Sequence, residues 1–576
     1  MNNRGRIGIE FKAAAYADDI SVICRNSQES IQQVFNEYSR LTKRSGLELN
    51  AEKTEILRLD GNNQFEINIE YGGSIHRIKS VTKIKICGLF YCQNHEEEYQ
   101  LNVRDKIEKL TCQIRKWSHN QLTMEGKNLI VKTFGLSQMI YNMQVYDVKE
   151  KELVQVERII FAFMWSTSKN ANGIDRIKRS IMKNSFSNGG LNVTDVDCLD
   201  RALKTRQFIR ASNSNHPIAK VQAYLTNSNI NDSKIKNEYA NINTEETICS
   251  RALSTINVLT DYYRSNITSE ESEQEQVVNN IASIKIRTFL KRKNLLLHLC
   301  VLKPLTDASI ETLGELCQEY EHNQDPDICQ RIKIVMGAIP GNFKQILENI
   351  NDNTICDDNL KLITLEDNSR KEIEKVTTKE FQCILKKALN KIDVPNFSSK
   401  LGLNQEFPTS CISETRIMCK NIKLRSIYFR LIHNDFYTKV KMKKFKMIES
   451  DECLRCGNPE TTRHLLWDCH HANNIWTLFN NLLINIGSPQ DSVKSYDELY
   501  CNASSAAITT LKLKIIQELI QIDRPTNWNK EIILSVILEI IKIEKYISLT
   551  NNNLKQYNNK WNSIEDKIYK YKFLSA

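Results

Sequence analysis

The stretch Ala13-Ala14-Ala15-Tyr16-Ala17-Asp18-Asp19-Ile20-Ser21-Val22-Ile23-Cys24 sets an aromatic ring and two adjacent carboxylates between apolar, partly β-branched residues. Such flanks predict two short strands, with the Asp pair at the turn of a tight hairpin. Neighbouring carboxylates at a turn need a positive charge, and their oxygens are ligands of the kind that Mg²⁺ takes. Asp18 and Asp19 are therefore candidate catalytic residues and Mg²⁺ ligands. A metal there could clamp both the attacking hydroxyl and the leaving phosphate of an in-line phosphoryl transfer. A bare Asp-Asp pair reads far more readily as a solvated Asx turn, so the surrounding chain has to decide.

Three motifs follow one another within the first ninety or so residues. Tyr16-Ala17-Asp18-Asp19 is succeeded by Gly46-Leu47-Glu48-Leu49-Asn50-Ala51-Glu52-Lys53-Thr54-Glu55 and then by Ile86-Cys87-Gly88-Leu89-Phe90. In this order they resemble the catalytic hairpin, the palm motif ending in Lys-Thr and the primer-gripping turn of non-LTR (LINE-type) retrotransposon reverse transcriptases. Cys87 stands where that family usually has Leu. The resemblance implies an RNA-directed DNA polymerase with catalytic Mg²⁺, an RNA template, a DNA primer or target, and dNTP. It also implies a role for Lys53, since a palm lysine can protonate the departing pyrophosphate or neutralise its charge.

Composition narrows the class. A chain of 576 residues is long enough for several domains. Its net charge is +10, and its 17 Cys are odd in number and scattered, with no signal peptide ahead of them. The longest apolar run, from Ile532 to Ile541, is interrupted by Ser535 and Glu539 and is shorter than the roughly twenty residues a spanning helix needs. The expectation is a soluble protein of the nucleus and cytoplasm, with free thiols and no membrane partner.

Along the chain, Ser27 is a plausible cap for a helix with Ile31, Val34, Phe35, Tyr38 and Leu41 on one face, ending near Gly46. A strand at 54–59 and a hairpin turning on Tyr71-Gly72-Gly73-Ser74 complete the expected helix-on-sheet layer. From about Glu96 the period changes to 3.6. Stripes at Ile107, Leu110, Ile114 and Trp117, and at Leu129, Ile130, Phe134, Met139 and Ile140, predict two helices. Residues 101–146 carry seven Lys or Arg against three Asp or Glu, the balance that suits a duplex held by its phosphates. Lys127 and Lys132 are the expected contacts. Phe163-Met164-Trp165, the cations Arg176, Lys178, Arg179 and Lys183, and Gly189-Gly190-Leu191 extend the resemblance to about residue 210.

The charge concentrates further on. Between Arg416 and Lys446 ten cations face one acid, Asp435, and Tyr428, Phe429, Phe436, Tyr437 and Phe445 interleave with them. Cations displace counterions from a phosphate backbone and exposed aromatics stack on unpaired bases, so Arg425, Arg430, Lys441, Lys443 and Lys444 are candidate nucleic-acid contacts. Next come Cys453, Cys456, His464 and Cys469, four metal-ligating residues within 17 positions. Soft sulfur and imidazole donors at this spacing predict structural tetrahedral Zn²⁺, with His470 and His471 as competitors for the His role. The spacing resembles the C-terminal zinc knuckle of non-LTR retrotransposon polyproteins.

The expected fold class is α+β, mostly α: a truncated right-hand polymerase palm of antiparallel sheet with helix, a helical thumb, and a helical C-terminal region with a zinc knuckle. The expected limits are 1–95 for the palm, 96–148 for the thumb, 149–210 for a connector, 211–415 for a helical linker with disordered stretches, 416–487 for the basic segment and knuckle, and 488–576 for a helical tail. A two-metal polymerase needs a further palm aspartate upstream, and the only acid before Tyr16 is Glu10. By resemblance the chain therefore reads as the C-terminal part of a polyprotein, inactive alone. An inactive RNA- or DNA-binding remnant is the alternative.

Overall fold

Ser27 closes the amino end of the helix Gln28–Ser45 in the computed structural model by accepting the Ser30 N–H, and Gly46 ends that helix in the left-handed conformation. The structure describes residues 13–16, 19–59, 65–167, 174–212, isolated positions between 251 and 319, 325–338, 362–364, 370–521 and 527–573. Asp18, the expected linker at 268–276 and the expected helix at 279–300 lie outside the described residues.

The first hairpin pairs Ala13–Tyr16 with Asp19–Val22 antiparallel, Tyr16 opposite Asp19. It forms a sheet of its own, separate from the next three strands. Those strands are Ile56–Leu57, Glu66–Tyr71 and Ser74–Val81, the first parallel to the last. Gly72 and Gly73 both have positive φ (63° and 80°), the demand of a two-residue turn that matches the twist of its strands. Ile31 and Phe35 bury the helix against Ile67, Ile69 and Ile78. The expected helix-on-sheet layer therefore forms, but the carboxylate hairpin is not one of its strands. A third hairpin, Lys83–Ile86 with Leu89–Cys92, turns on Cys87 and Gly88, both at positive φ.

Two helical rods follow, over 95–115 and 124–145. Val103, Ile107, Leu110 and Ile114 of the first are buried, and so are Ile130, Val131, Leu136, Met139 and Met143 of the second. The sequence stripe placed Leu129 and Phe134 inside, yet both are exposed. The cause is a wide turn at Val131–Leu136, where one extra residue rotates the buried face by about 100°. Gly135 lets the rods close up, because a Cβ there would lie 2.9 Å from Ile114 Cγ2.

Two compact units divide the chain: one joins 1–197 to 390–576, and the other spans 198–389. The second unit packs Cys198, Ala202 and Ile209 with Phe381, Ile384 and Leu385. Its Asp200 is buried with Lys204 and Arg251, at 2.8 and 2.9 Å. In the first unit, residues far apart in sequence meet: Asp393 accepts from Ser180 at 3.0 Å, and His433 bonds the Gly189 carbonyl at 2.6 Å. One apolar core runs from Phe397 to Ile568. It includes the helices Ile422–Ile432, His470–Asn485, Ala506–Leu519 and Lys530–Thr550. Among the described residues no helix is long and apolar enough to cross a membrane.

Candidate metal centre and basic surface

Residues 451–469 build the candidate centre from a short hairpin and a helix end. Glu452 pairs with Pro459, the Cys453 N–H donates to the Asn458 carbonyl at 2.7 Å, and the Gly457 N–H returns to the Cys453 carbonyl at 2.9 Å. Gly457 supplies the positive φ (75°) that lets the turn reverse and bring Cys456 back towards Cys453. Thr461 accepts the His464 N–H at 3.0 Å and so starts the helix that carries this His. Thr462 donates to Asn434 Oδ1 at 2.6 Å. Cys469 precedes the helix His470–Asn485, and the Trp476 indole N–H donates to the Leu466 carbonyl at 2.8 Å, tying the two helical segments together.

The four donor atoms of Cys453, Cys456, His464 and Cys469 all lie within 4.8 Å of one another. Cys456 Sγ is 3.2 Å from His464 Nε2 and 4.0 Å from Cys469 Sγ. With Zn–S and Zn–N bonds of about 2.3 and 2.1 Å, a tetrahedron has S···S and S···N edges of about 3.8 and 3.6 Å, so the donor set fits zinc in chemistry and in size. Of the three candidate imidazoles the fold brings His464 to the thiols, while His470 is exposed to solvent. Burial opposes ionisation of Cys456, but hydrogen bonds from Asn458 and from the neighbouring thiols outweigh it and hold this thiol below its ordinary range. Burial pushes the Cys469 thiol up, against N–H groups of His471 and Ala472 at the helix start. Metal binding would displace such protons as the thiolates form. Four protein ligands leave no open position, so this centre organises structure and offers no reacting site.

The basic run divides into cations that face inward and cations that face out. Arg425 and Arg416 both grip Glu125, at 2.8 and 3.1 Å, and the Arg416 guanidinium sits 3.5 Å over the Phe186 ring. Arg430 donates to the Asp435 carbonyl at 3.0 Å and lies over Phe436. Lys441 donates to the carbonyl and the side chain of Asn434, and burial pulls its ammonium down to about 8, against Asp435. Burial likewise raises the Asp435 carboxyl, opposed by Arg176, Arg430, Lys441 and Lys400. Arg425, Arg430 and Lys441, candidate nucleic-acid contacts from the sequence, are thus engaged by Glu125, Asp435 and Asn434 and only partly exposed. Lys443 pairs with Asp451 at 2.8 Å but stays half-exposed, and Lys444 is exposed. The aromatics divide the same way, Tyr428, Phe429 and Phe436 buried, Tyr437 and Phe445 exposed.

Lys127, an expected duplex contact, faces inward as well. It is buried and donates to the Met164 carbonyl at 3.2 Å, to the Ser166 carbonyl and to the Ser166 hydroxyl at 3.2 Å, beside the Phe163 ring. Burial pulls this ammonium down to about 8. It caps the carboxyl end of the helix Glu150–Met164, whose last carbonyls have no partner within the helix. Lys132 donates to the Asn192 carbonyl at 2.6 Å and is only partly exposed. Asp19 and Lys53 are both exposed, Asp19 on the isolated hairpin and Lys53 on the short turn Ala51–Lys53. Sequence reasoning missed Glu125, the acid that takes up two of the ten cations, because nothing near it in sequence marks a partner 300 residues away.

A family model described as zinc-binding in reverse transcriptase matches residues 404–476. The match covers all four metal-ligating residues and the whole basic run, and it supports a reverse-transcriptase-related zinc-binding region in this chain.

Proposed function

We propose that residues 404–476 are a zinc-stapled nucleic-acid-binding region of a non-LTR retrotransposon reverse transcriptase. The observation that carries this reading is the Cys453, Cys456, His464 and Cys469 cluster inside the matched stretch. Zinc, when bound, cross-links the hairpin and the helix end and needs no other role. What this chain's residues do is present a rigid face: Lys443, Lys444 and Lys446 stand outward beside the centre, where they can exchange counterions for phosphates.

In the same proposal, segments 1–95 and 96–148 are palm and thumb and 149–210 the connector. Asp18 and Asp19 hold catalytic Mg²⁺, Lys53 neutralises the pyrophosphate, and the partners are an RNA template, a DNA primer at the target and dNTP. Support comes from the hairpin register that sets Asp19 opposite Tyr16 and from the turn at Cys87 and Gly88, whose Cys87 carbonyl accepts the Tyr141 hydroxyl at 2.7 Å. A second reading, an RNA- or DNA-binding protein without polymerase activity, is favoured by the carboxylate hairpin, which pairs with no other strand among the described residues and has Ile20, Val22 and Ile23 exposed.

One preparation of the full chain tests both. About one zinc per chain, with RNA affinity that falls steeply as salt rises, is expected. Zinc absent from the purified chain, or salt-independent binding, overturns the proposal. Mg²⁺-dependent primer extension that Asp19→Ala abolishes would support catalytic Asp19 and overturn the expectation that the chain is inactive alone; salt-sensitive binding without extension is expected on either reading.

A further inference from the structure

The helix Lys439–Lys444 ends in an unusual way. The Lys446 N–H donates to the Lys443 carbonyl and the Met447 N–H to the Met442 carbonyl, both at 2.9 Å, which is the paired closure of a Schellman cap. The cap's left-handed position, where glycine is usual, is held by Lys446 at φ 57°. For a residue with a Cβ this conformation costs about 1 kcal/mol. The apolar contact that commonly accompanies the cap is weak, since Met447 stays 59% exposed. Phe445 beside it is 64% exposed, in a chain whose other aromatics of the basic run are mostly buried.

This turn is held rigidly against the zinc hairpin. Lys439 Nζ donates to the Glu452 carbonyl at 2.8 Å, the Val440 N–H to the Glu460 carbonyl at 3.4 Å, and Lys443 pairs with Asp451 at 2.8 Å. Leu454, on the turn between the two cysteines, is 90% exposed. The acids nearby in sequence are Glu449, Asp451 and Glu452, of which Asp451 is engaged by Lys443. Lys444 and Lys446, on either side of Phe445, are exposed to solvent.

We propose that Lys444-Phe445-Lys446 is a stacking site for single-stranded nucleic acid, with an unpaired base on the Phe445 ring and the flanking phosphates on the two lysines. The inference rests on the nucleic-acid reading above and adds to it the strand state and the residues. A solvent-exposed ring can take a base only when that base is unpaired, whereas lysines alone accept single strands and duplexes alike. An exposed aromatic between two exposed lysines matches the alternation of base and phosphate along one strand. The strained cap holds the ring away from the core, where burial would otherwise be favourable.

The zinc-loaded full chain is titrated with a fluorescent 12-nucleotide oligouridine and with a 12-base-pair RNA duplex. Phe445→Ala, at an exposed position, is expected to weaken oligouridine binding about tenfold and to leave duplex binding unchanged. Phe445→Trp is expected to restore affinity, its fluorescence quenched by oligouridine and not by duplex. Lys446→Gly relieves the cap and should raise thermal stability, yet weaken oligouridine binding and reduce its salt slope by about 0.7. Oligouridine affinity unchanged in Phe445→Ala, or lost equally for both RNAs, overturns the stacking site while leaving salt-sensitive binding intact. Failure of the unsubstituted chain to bind either RNA would instead overturn the nucleic-acid reading beneath it.

Discussion

Glu125→Gln removes one negative charge and keeps the side chain's size. Arg425 and Arg416 lie 2.8 and 3.1 Å from its two oxygens, with side-chain exposures of 16% and 34%. At an effective dielectric of about 20, each pair at about 4 Å between charge centres is worth about 4 kcal/mol before desolvation. Burial already pulls the Arg416 guanidinium down, and removing the acid leaves two cations with little water to replace it. Breaking a buried pair costs about 3–5 kcal/mol, and the partial exposure of Arg416 lowers its share, because solvent screens what is lost there. The expected loss is therefore about 3 kcal/mol in the urea transition of the 1–197/390–576 unit, followed by tryptophan fluorescence. Arg425→Gln should cost a similar amount, and the double variant less than the sum, with a coupling of at least about 1 kcal/mol. The salt slope of RNA binding should not change in Arg425→Gln. A urea transition within about 0.5 kcal/mol of the parent in Glu125→Gln, together with a slope reduced by about one in Arg425→Gln, would refute the reasoning and return Arg425 to the phosphates.

Cys469→Ser, or a strong chelator, should remove the metal and expose the 446–462 region to proteolysis while most helical circular dichroism persists, because the core from Phe397 to Ile568 is largely apolar; global loss of helix would show that zinc holds more than the hairpin. Burial lowers His433 from its ordinary 6.5 to about 4, so the unfolded chain binds the extra proton first as pH falls through that window. Stability contributed by neutral His433 is present above pH 6.5 and lost towards pH 4, by up to about 3 kcal/mol. His433→Gln keeps an N–H for the Gly189 carbonyl and should reduce the drop in urea midpoint between pH 7 and 4.5; an identical drop would contradict the assignment. Gly190→Ala places a Cβ against the Asn184 carbonyl and 2.6 Å from the Ile181 carbonyl oxygen, backbone that cannot yield, so a loss of about 3 kcal/mol or more is expected in thermal unfolding.

Short-range rules carried the reading of this sequence a long way. Ser27 and Gly46 bound their helix because capping depends on the few N–H and C=O groups next to each end. Gly72 and Gly73 form the hairpin turn because two positive φ angles in succession suit glycine. The thiols and imidazole of 453–469 converge because the whole cluster spans one hairpin and the helix end after it. The same locality explains the failures. An extra residue at Val131–Leu136 rotated a face that period counting had assigned, since a wide turn depends on how two rods pack.

The direction of the long cations could not be read from the chain. Lys127 meets Ser166 from 39 residues away and Arg425 meets Glu125 from 300, so a run that looked like one basic surface is partly internal. A lysine or arginine can reach several ångströms in many directions, and its partner is chosen by whichever distant carbonyl or carboxylate the fold buries beside it. Residue order therefore determined where the helices, the turns and the metal ligands stand. Only packing decided which charges remain for a partner, because desolvation is a property of the assembled interior and no local spacing encodes it.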